Sequence, residues 1–217
     1  MIDIVETLRL LAELRPVFHS EADFQHAIAW KIHEQHPDLR IRLEYRPSAV
    51  DRKMYVDIWV ERDGAFCAIE LKYKTRLFSA TVEGETFDLL DQNAQDIARY
   101  DFCKDISRIE MLVNAYPGLI GFAVFLTNDH LYWQDHNHGG TFDAAFRIHQ
   151  GAELVGELSW DKRASEGTTK GRTAPISLMR SYPLGWMNYS DYCGSERNSM
   201  FRFLAIPIRS TVGNGET

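Results

Sequence analysis

Along the first third of the chain the apolar residues recur at helical spacing and then at every second position. Over residues 3–15, Ile4, Leu8, Leu11 and Ala12 fall on one side of a 3.6-residue period and Pro16 stops the run, which predicts a helix. Ser20-Glu21-Ala22-Asp23 resembles a capping box with Asp in the usual place of Glu, so Ser20 opens a second helix. Phe24, Ala27, Ile28 and Ile32 form its apolar stripe, and Pro37 closes it. The period then becomes two. Over residues 39–46, Leu39, Ile41, Leu43 and Tyr45 alternate with Arg40, Arg42, Glu44 and Arg46. Residues 55–61 and 65–73 read as two more strands, and Arg62-Asp63-Gly64 is the tight turn that makes them a hairpin.

Beyond the hairpin, a polar stretch with Gly84 leads into a predicted helix over 87–102. Phe87, Leu90, Ala94, Ile97 and Ala98 cluster on one face of it, and Asp88, Gln92, Gln95, Asp96 and Arg99 on the other. A further helical stretch is expected over 106–114. Residues 118–127, apolar and rich in β-branched and aromatic side chains, read as a buried strand. The remainder reads as short strands at 131–133, 142–149, 154–160, 176–182 and 201–208, with a polar loop at 161–174 carrying Lys162, Arg163, Lys170 and Arg172. The expected organisation is α/β, with a core and its N-terminal helix over 1–128 and a β-rich extension over 129–217.

Composition narrows the classes. Hydrophobic residues make up 45% of the 217, with 12 Phe, 9 Tyr and 5 Trp, which is enough for a sizeable core and too much for a disordered chain. No apolar run reaches the ~18 residues of a membrane span. The start, Met1-Ile2-Asp3-Ile4-Val5-Glu6, has acids where a signal peptide has a basic region, so no membrane partner is expected and the cytoplasm is the expected location. Cys67, Cys103 and Cys193 are odd in number and form no C-x-x-C, which fits packed thiols in a reducing compartment. A formal net charge of −7 excludes a general nucleic-acid coat and leaves only local basic patches for such a partner.

The chemistry lies in the 55–73 hairpin. Side chains alternate faces along a strand, so Asp57 and Trp59 point opposite to Val56, Ile58 and Val60. On the next strand Ala68, Glu70 and Lys72 share one face, while Cys67, Ile69 and Leu71 share the other. Two carboxylates and an ammonium set among apolar strands are costly unless they pair or bind something. Oxygen-only ligation with open positions suits Mg²⁺ or Mn²⁺, and Lys72 beside a metal-bound water would hold it, help to deprotonate it, or stabilise charge developing on phosphorus.

Asp57, twelve residues, then Glu70-Leu71-Lys72 resembles the D…E-x-K signature of the PD-(D/E)xK nuclease superfamily, and it is the one E-x-K in the chain. The expected order of elements is similar to that family's αβββαβ core with a mixed sheet, the restriction-endonuclease-like fold. The resemblance implies that Asp57 and Glu70 hold the metal, that the Leu71 carbonyl completes the shell, and that Lys72 assists the water. Glu21 lies where many members carry a further Glu on the first core helix. Members of the RecB-like branch carry a Gln and a Tyr on the helix after the E-x-K strand. Gln92, Gln95 and Tyr100 are the counterparts here, with five residues from Gln95 to Tyr100 rather than the usual four. With Arg99, Arg46, Arg52 and Lys53 they make the expected nucleic-acid contacts. The function implied is Mg²⁺-dependent phosphodiester hydrolysis of nucleic acid, DNA before RNA, with a homodimer left open. The rival is a non-catalytic binding or interaction module on the same scaffold, since fold does not fix function.

Overall fold

The computed structural model describes residues 2–48, 54–82, 84–135, 140–191 and 198–210. The two N-terminal helices form where the periodicity places them. Helix α1 (Ile4–Leu14) is capped by Asp3, whose carboxylate accepts from the Glu6 N–H. Helix α2 (Glu21–Gln35) is capped by Ser20, whose hydroxyl accepts from the Asp23 N–H. Both caps satisfy donors that the first helical turn cannot.

Three antiparallel strands follow: β1 (Arg40–Tyr45), β2 (Val56–Arg62) and β3 (Ala65–Lys74). Asp63 and Gly64, at φ 49° and 80°, turn the β2–β3 hairpin in two residues. The segment after it differs from the expected helix over 87–102. Strands β4 (Phe78–Val82) and β5 (Glu85–Leu89) form a second hairpin around Gly84, at φ 87°. Phe78, Val82, Phe87 and Leu89 are buried at period two, and this pattern prevails over the helical spacing that Phe87, Leu90 and Ala94 also satisfy. One 21-residue helix, α3 (Gln95–Ala115), then replaces the two helical stretches expected, because no Gly or Pro interrupts 95–115. It leads to β6 (Leu119–Thr127), which lies parallel to β3.

In the C-terminal third the stretches expected as strands at 131–133 and 142–149 are turns and a 3₁₀ segment (Ala144–Phe146). The rest consists of β7 (Glu153–Leu158), the one-turn helix α4 (Glu166–Thr169), β8 (Ile176–Pro183), β9 (Met187–Asp191) and β10 (Met200–Arg209). The architecture is mixed α/β: a six-stranded mixed sheet in the order β1-β2-β3-β6-β10-β9, with β4–β5 and β7–β8 as separate two-stranded sheets. Strand β10 runs antiparallel to β6, so the C-terminal third enters the main sheet.

Each face of the sheet has its own core. On one, Ile58, Ile69, Leu71 and Leu126 pack with Leu8, Phe24 and Ile28 of the N-terminal helices and with Phe78 and Phe87. On the other, Trp59, Ala68, Ala123 and Phe125 pack with Ile106, Ile109 and Val113 of α3. Val56 joins this second face rather than that of Ile58, where strict alternation would put it. Helix α3 lies very close to the sheet at Gly121, where an added Cβ would stand 2.0 Å from Ile109 Cγ2. Strand β8 is fixed to α3 by the buried Glu110 carboxylate, which accepts from the Met179 N–H at 2.9 Å, the Arg180 N–H at 3.1 Å and the Tyr182 hydroxyl at 2.7 Å. Among the described residues no helix is long and apolar enough to cross a membrane.

Candidate active site

Where β2 and β3 part, backbone donors need new partners. The β2–β3 ladder ends at the Ile58–Ile69 pair, whereas β3 stays paired with β6 as far as Lys74. The N–H groups of Leu71 and Tyr73 therefore face an open fork, and carboxylates fill it. Asp57 Oδ2 accepts from the Leu71 N–H at 2.6 Å, and Glu21 Oε2, from the first residue of α2, accepts from the Tyr73 N–H at 2.8 Å. Gln25, buried one turn further along α2, donates to the Asp57 carbonyl at 2.7 Å and to Glu44 Oε1 at 2.9 Å. Glu44 itself has left-handed backbone, φ 48°, which costs an L-residue about 1–2 kcal/mol and kinks β1 beside Asp57.

Glu70 and Lys72 lie on the face of β3 that α3 covers, and α3 supplies two residues that sequence reasoning did not single out. Lys72 Nζ stands 2.9 Å from Asp105 Oδ2 and donates to the Leu71 carbonyl at 3.3 Å. Arg108 Nη1 stands 3.1 Å from Asp105 Oδ1, and its Nη2 stands 3.1 Å from Glu70 Oε1 while also donating to the Tyr55 carbonyl. Glu70 is 3% exposed and Asp105 4%. Glu70 Oε1 faces Arg108 without hydrogen-bond alignment, so this buried oxygen has an ionic neighbour and no hydrogen-bond donor.

The electrostatics follow from four carboxylates (Glu21, Asp57, Glu70, Asp105) facing two cations (Lys72, Arg108). Burial pushes the Asp57 carboxyl up to about 6, against the opposing Leu71 N–H and the Lys72 ammonium. Burial, with Asp105 and Asp57 as like charges, lifts Glu70 well above the usual carboxylate range despite Arg108. Burial also raises Asp105, with Lys72 opposing. Burial alone would lower the pKa of Lys72, but Asp105, Glu21 and Asp57 outweigh it and hold the ammonium protonated. With no metal bound, Lys72 is therefore a cation at neutral pH.

As they stand, no three His, Cys, Asp or Glu side chains among the described residues are gathered to hold a metal ion, since Asp57 is turned to the Leu71 N–H and Glu70 to Arg108. The donor set nevertheless fits a hard dication: it is all oxygen, short of positive charge by two when its four carboxylates are ionised, and two of its buried carboxylate oxygens, Glu70 Oε1 and Asp105 Oδ2, lack a hydrogen bond.

The other expected contacts are placed differently. Gln92 is exposed in the loop before α3, and Gln95 donates to Asp129 Oδ2 at 2.9 Å. Arg99 is buried, pairs with Asp143 at 2.7 Å, donates to the Leu131 carbonyl and lies over the Tyr132 ring. Tyr100 is buried beside Phe146 and Trp160, with its hydroxyl donating to the Ala174 carbonyl. These two side chains serve the internal packing of α3. Arg40, Arg42 and Arg46 are exposed on and just after edge strand β1, while Arg52 and Lys53 lie outside the described residues. The aromatic stretch 182–189 is largely interior, with Tyr182, Trp186 and Tyr189 buried.

Asp105 and Arg108 could have been suspected only from the register of α3 against β3. In sequence an acid and a base three apart on a helix read as an ordinary solvated pair. No protein-family model, curated protein or solved structure matches the chain.

Proposed function

We propose that the β2–β3 fork is a metal-dependent phosphodiesterase site of the PD-(D/E)xK kind, acting on nucleic acid. The α2-β1-β2-β3-α3-β6 order is read accordingly as a restriction-endonuclease-like αβββαβ core with the β4–β5 hairpin inserted. The observation that carries this reading is that Asp57, Glu21 and Lys72 meet the Leu71 and Tyr73 backbone at one open fork, with Glu70 on the neighbouring face of β3 beside Arg108. Their spacing in sequence alone would be a weak sign.

In this reading Asp57 and Glu70, with Glu21, hold Mg²⁺ or Mn²⁺, and the Leu71 carbonyl adds an oxygen. When bound, the dication supplies Lewis-acid activation of a water and of the phosphodiester. Lys72, held protonated, orients that water and stabilises negative charge developing on phosphorus. Exposed Arg42 and Arg46 on the β1 side offer phosphate contacts that position a strand without reading its sequence.

The test is calorimetric titration of Mn²⁺ into the protein and into Glu70→Ala, with cleavage assays on single- and double-stranded DNA. Metal binding and cleavage in the parent, both lost in the variant, support the reading. Equal cleavage by Glu70→Ala would refute it. The second reading, a non-catalytic interaction module, is favoured by one observation: Lys72 and Arg108 are both already paired inside the protein. It predicts no metal binding and no cleavage by the parent.

A further inference from the structure

We infer that Arg108 is a positioning residue that competes with the divalent cation for Glu70, so the protein holds its carboxylates with its own guanidinium until a metal displaces that contact. The inference rests on the metal-site reading above and adds to it a residue on a different element.

Three observations carry it. First, the Arg108 fork spans two carboxylates, with Nη2 3.1 Å from Glu70 Oε1 and Nη1 3.1 Å from Asp105 Oδ1. Second, its hold on Glu70 is the weaker part, because the pair lacks hydrogen-bond alignment, whereas Nη1 donates to Asp105 and Nη2 to the Tyr55 carbonyl. Arg108 can give up Glu70 and keep both other partners. Third, charge permits both cations to stay near the site. Glu21, Asp57, Glu70 and Asp105 carry four negative charges when ionised, and Lys72 and Arg108 supply two positive ones. A dication then closes the balance without expelling either side chain. What it must take is the Glu70 oxygen, and that oxygen faces Arg108.

Arg108 is the more accessible of the two partners, with its side chain 24% exposed against 3% for Glu70.

The experiment is Mn²⁺ titration by calorimetry into the metal-stripped 217-residue parent, Arg108→Ala, Arg108→Lys and Glu70→Ala. Lysine keeps the charge but cannot span Glu70 and Asp105 as the guanidinium does. We expect both Arg108 variants to bind Mn²⁺ at least about tenfold more tightly than the parent, a difference of about 1.4 kcal/mol, and Glu70→Ala to lose binding. A merely structural Arg108 would not give tighter metal binding when replaced. Unchanged affinity in both Arg108 variants would overturn the competition while leaving the metal site standing. Tightening in Arg108→Ala alone would reduce the effect to the general field of a nearby charge and would also overturn it. If neither the parent nor any Arg108 variant binds Mn²⁺, the metal site itself falls, and the competition with it.

Discussion

Replacing Asp57 by Asn should stabilise the metal-free protein, and increasingly so as pH rises. The folded protein lifts this carboxyl from an ordinary 3.8 to about 6. A group whose folded pKa is raised binds its proton more tightly in the native state than in the unfolded chain. The stability tied to that proton is complete below about pH 4 and is lost as pH rises through about 6. Each pKa unit is worth about 1.36 kcal/mol, so ionised Asp57 costs the fold at most about 3 kcal/mol at pH 8 and about 0.5 kcal/mol at pH 4. Asparagine removes the charge, nearly matches the shape and keeps an oxygen to accept the Leu71 N–H bond. At this chain length 1 kcal/mol moves Tm by roughly 2–4 °C, so the variant should melt up to about 6–12 °C above the parent at pH 8 and within about 2 °C of it at pH 4. Thermal unfolding followed by circular dichroism, in EDTA at pH 4, 6 and 8, measures the difference. Parallel loss of stability in both proteins as pH rises would refute the argument. So would an Asp57→Asn protein less stable than the parent at pH 8, because the carboxylate would then stabilise the fold through its bond to Leu71.

Lys72→Met should destabilise by about 3 kcal/mol, because it strips the buried Asp105 of its nearest cation, and adding Asp105→Asn should recover at least about 1 kcal/mol of that in urea unfolding; strict additivity of the two changes would show that the pair is not coupled. Gly121→Ala should cost about 2 kcal/mol, since its Cβ would overlap Ile109 on α3, and it should also weaken any metal binding by moving Asp105 and Arg108 off β3; an unchanged urea midpoint would refute a close contact between α3 and the sheet at this point.

Much of the candidate site was legible because strand alternation is a local rule. Once residues 55–61 and 65–73 read as a hairpin, Asp57, Glu70 and Lys72 had to lie near one another on neighbouring strands. Glu21 was legible as a helix-start acid, but its reach to the Tyr73 N–H depends on how α2 lies along the sheet. The basic and aromatic residues of α3 were the least legible. Amphipathic counting placed Arg99 on a polar face, yet the C-terminal segment folds over that face and buries it against Asp143 and Tyr132. Tyr100 goes inside for the same reason, against Phe146 and Trp160.

By itself the sequence determined α1, α2, the β1–β2–β3 meander, the β6 strand and the placing of an acid on β2 beside the stretch of β3 that carries an acid and a lysine. Caps, turn residues and periods of 3.6 and 2 act over a few residues and need no distant partner. Only the tertiary structure decided that residues 78–89 form a hairpin, because Phe78, Val82, Phe87 and Leu89 satisfy the strand period only when a sheet-face core is there to receive them. It alone decided that β10 would extend the main sheet beside β6, since a strand edge does not encode its neighbour. It also decided the protonation and partners of the site. Asp105 and Arg108 lie more than thirty residues from Glu70, and only the packing of α3 across β3 removes them from water. Removal from water turns an ordinary helix ion pair into the electrostatic frame that fixes Lys72 as a cation and raises the pKa of Glu70.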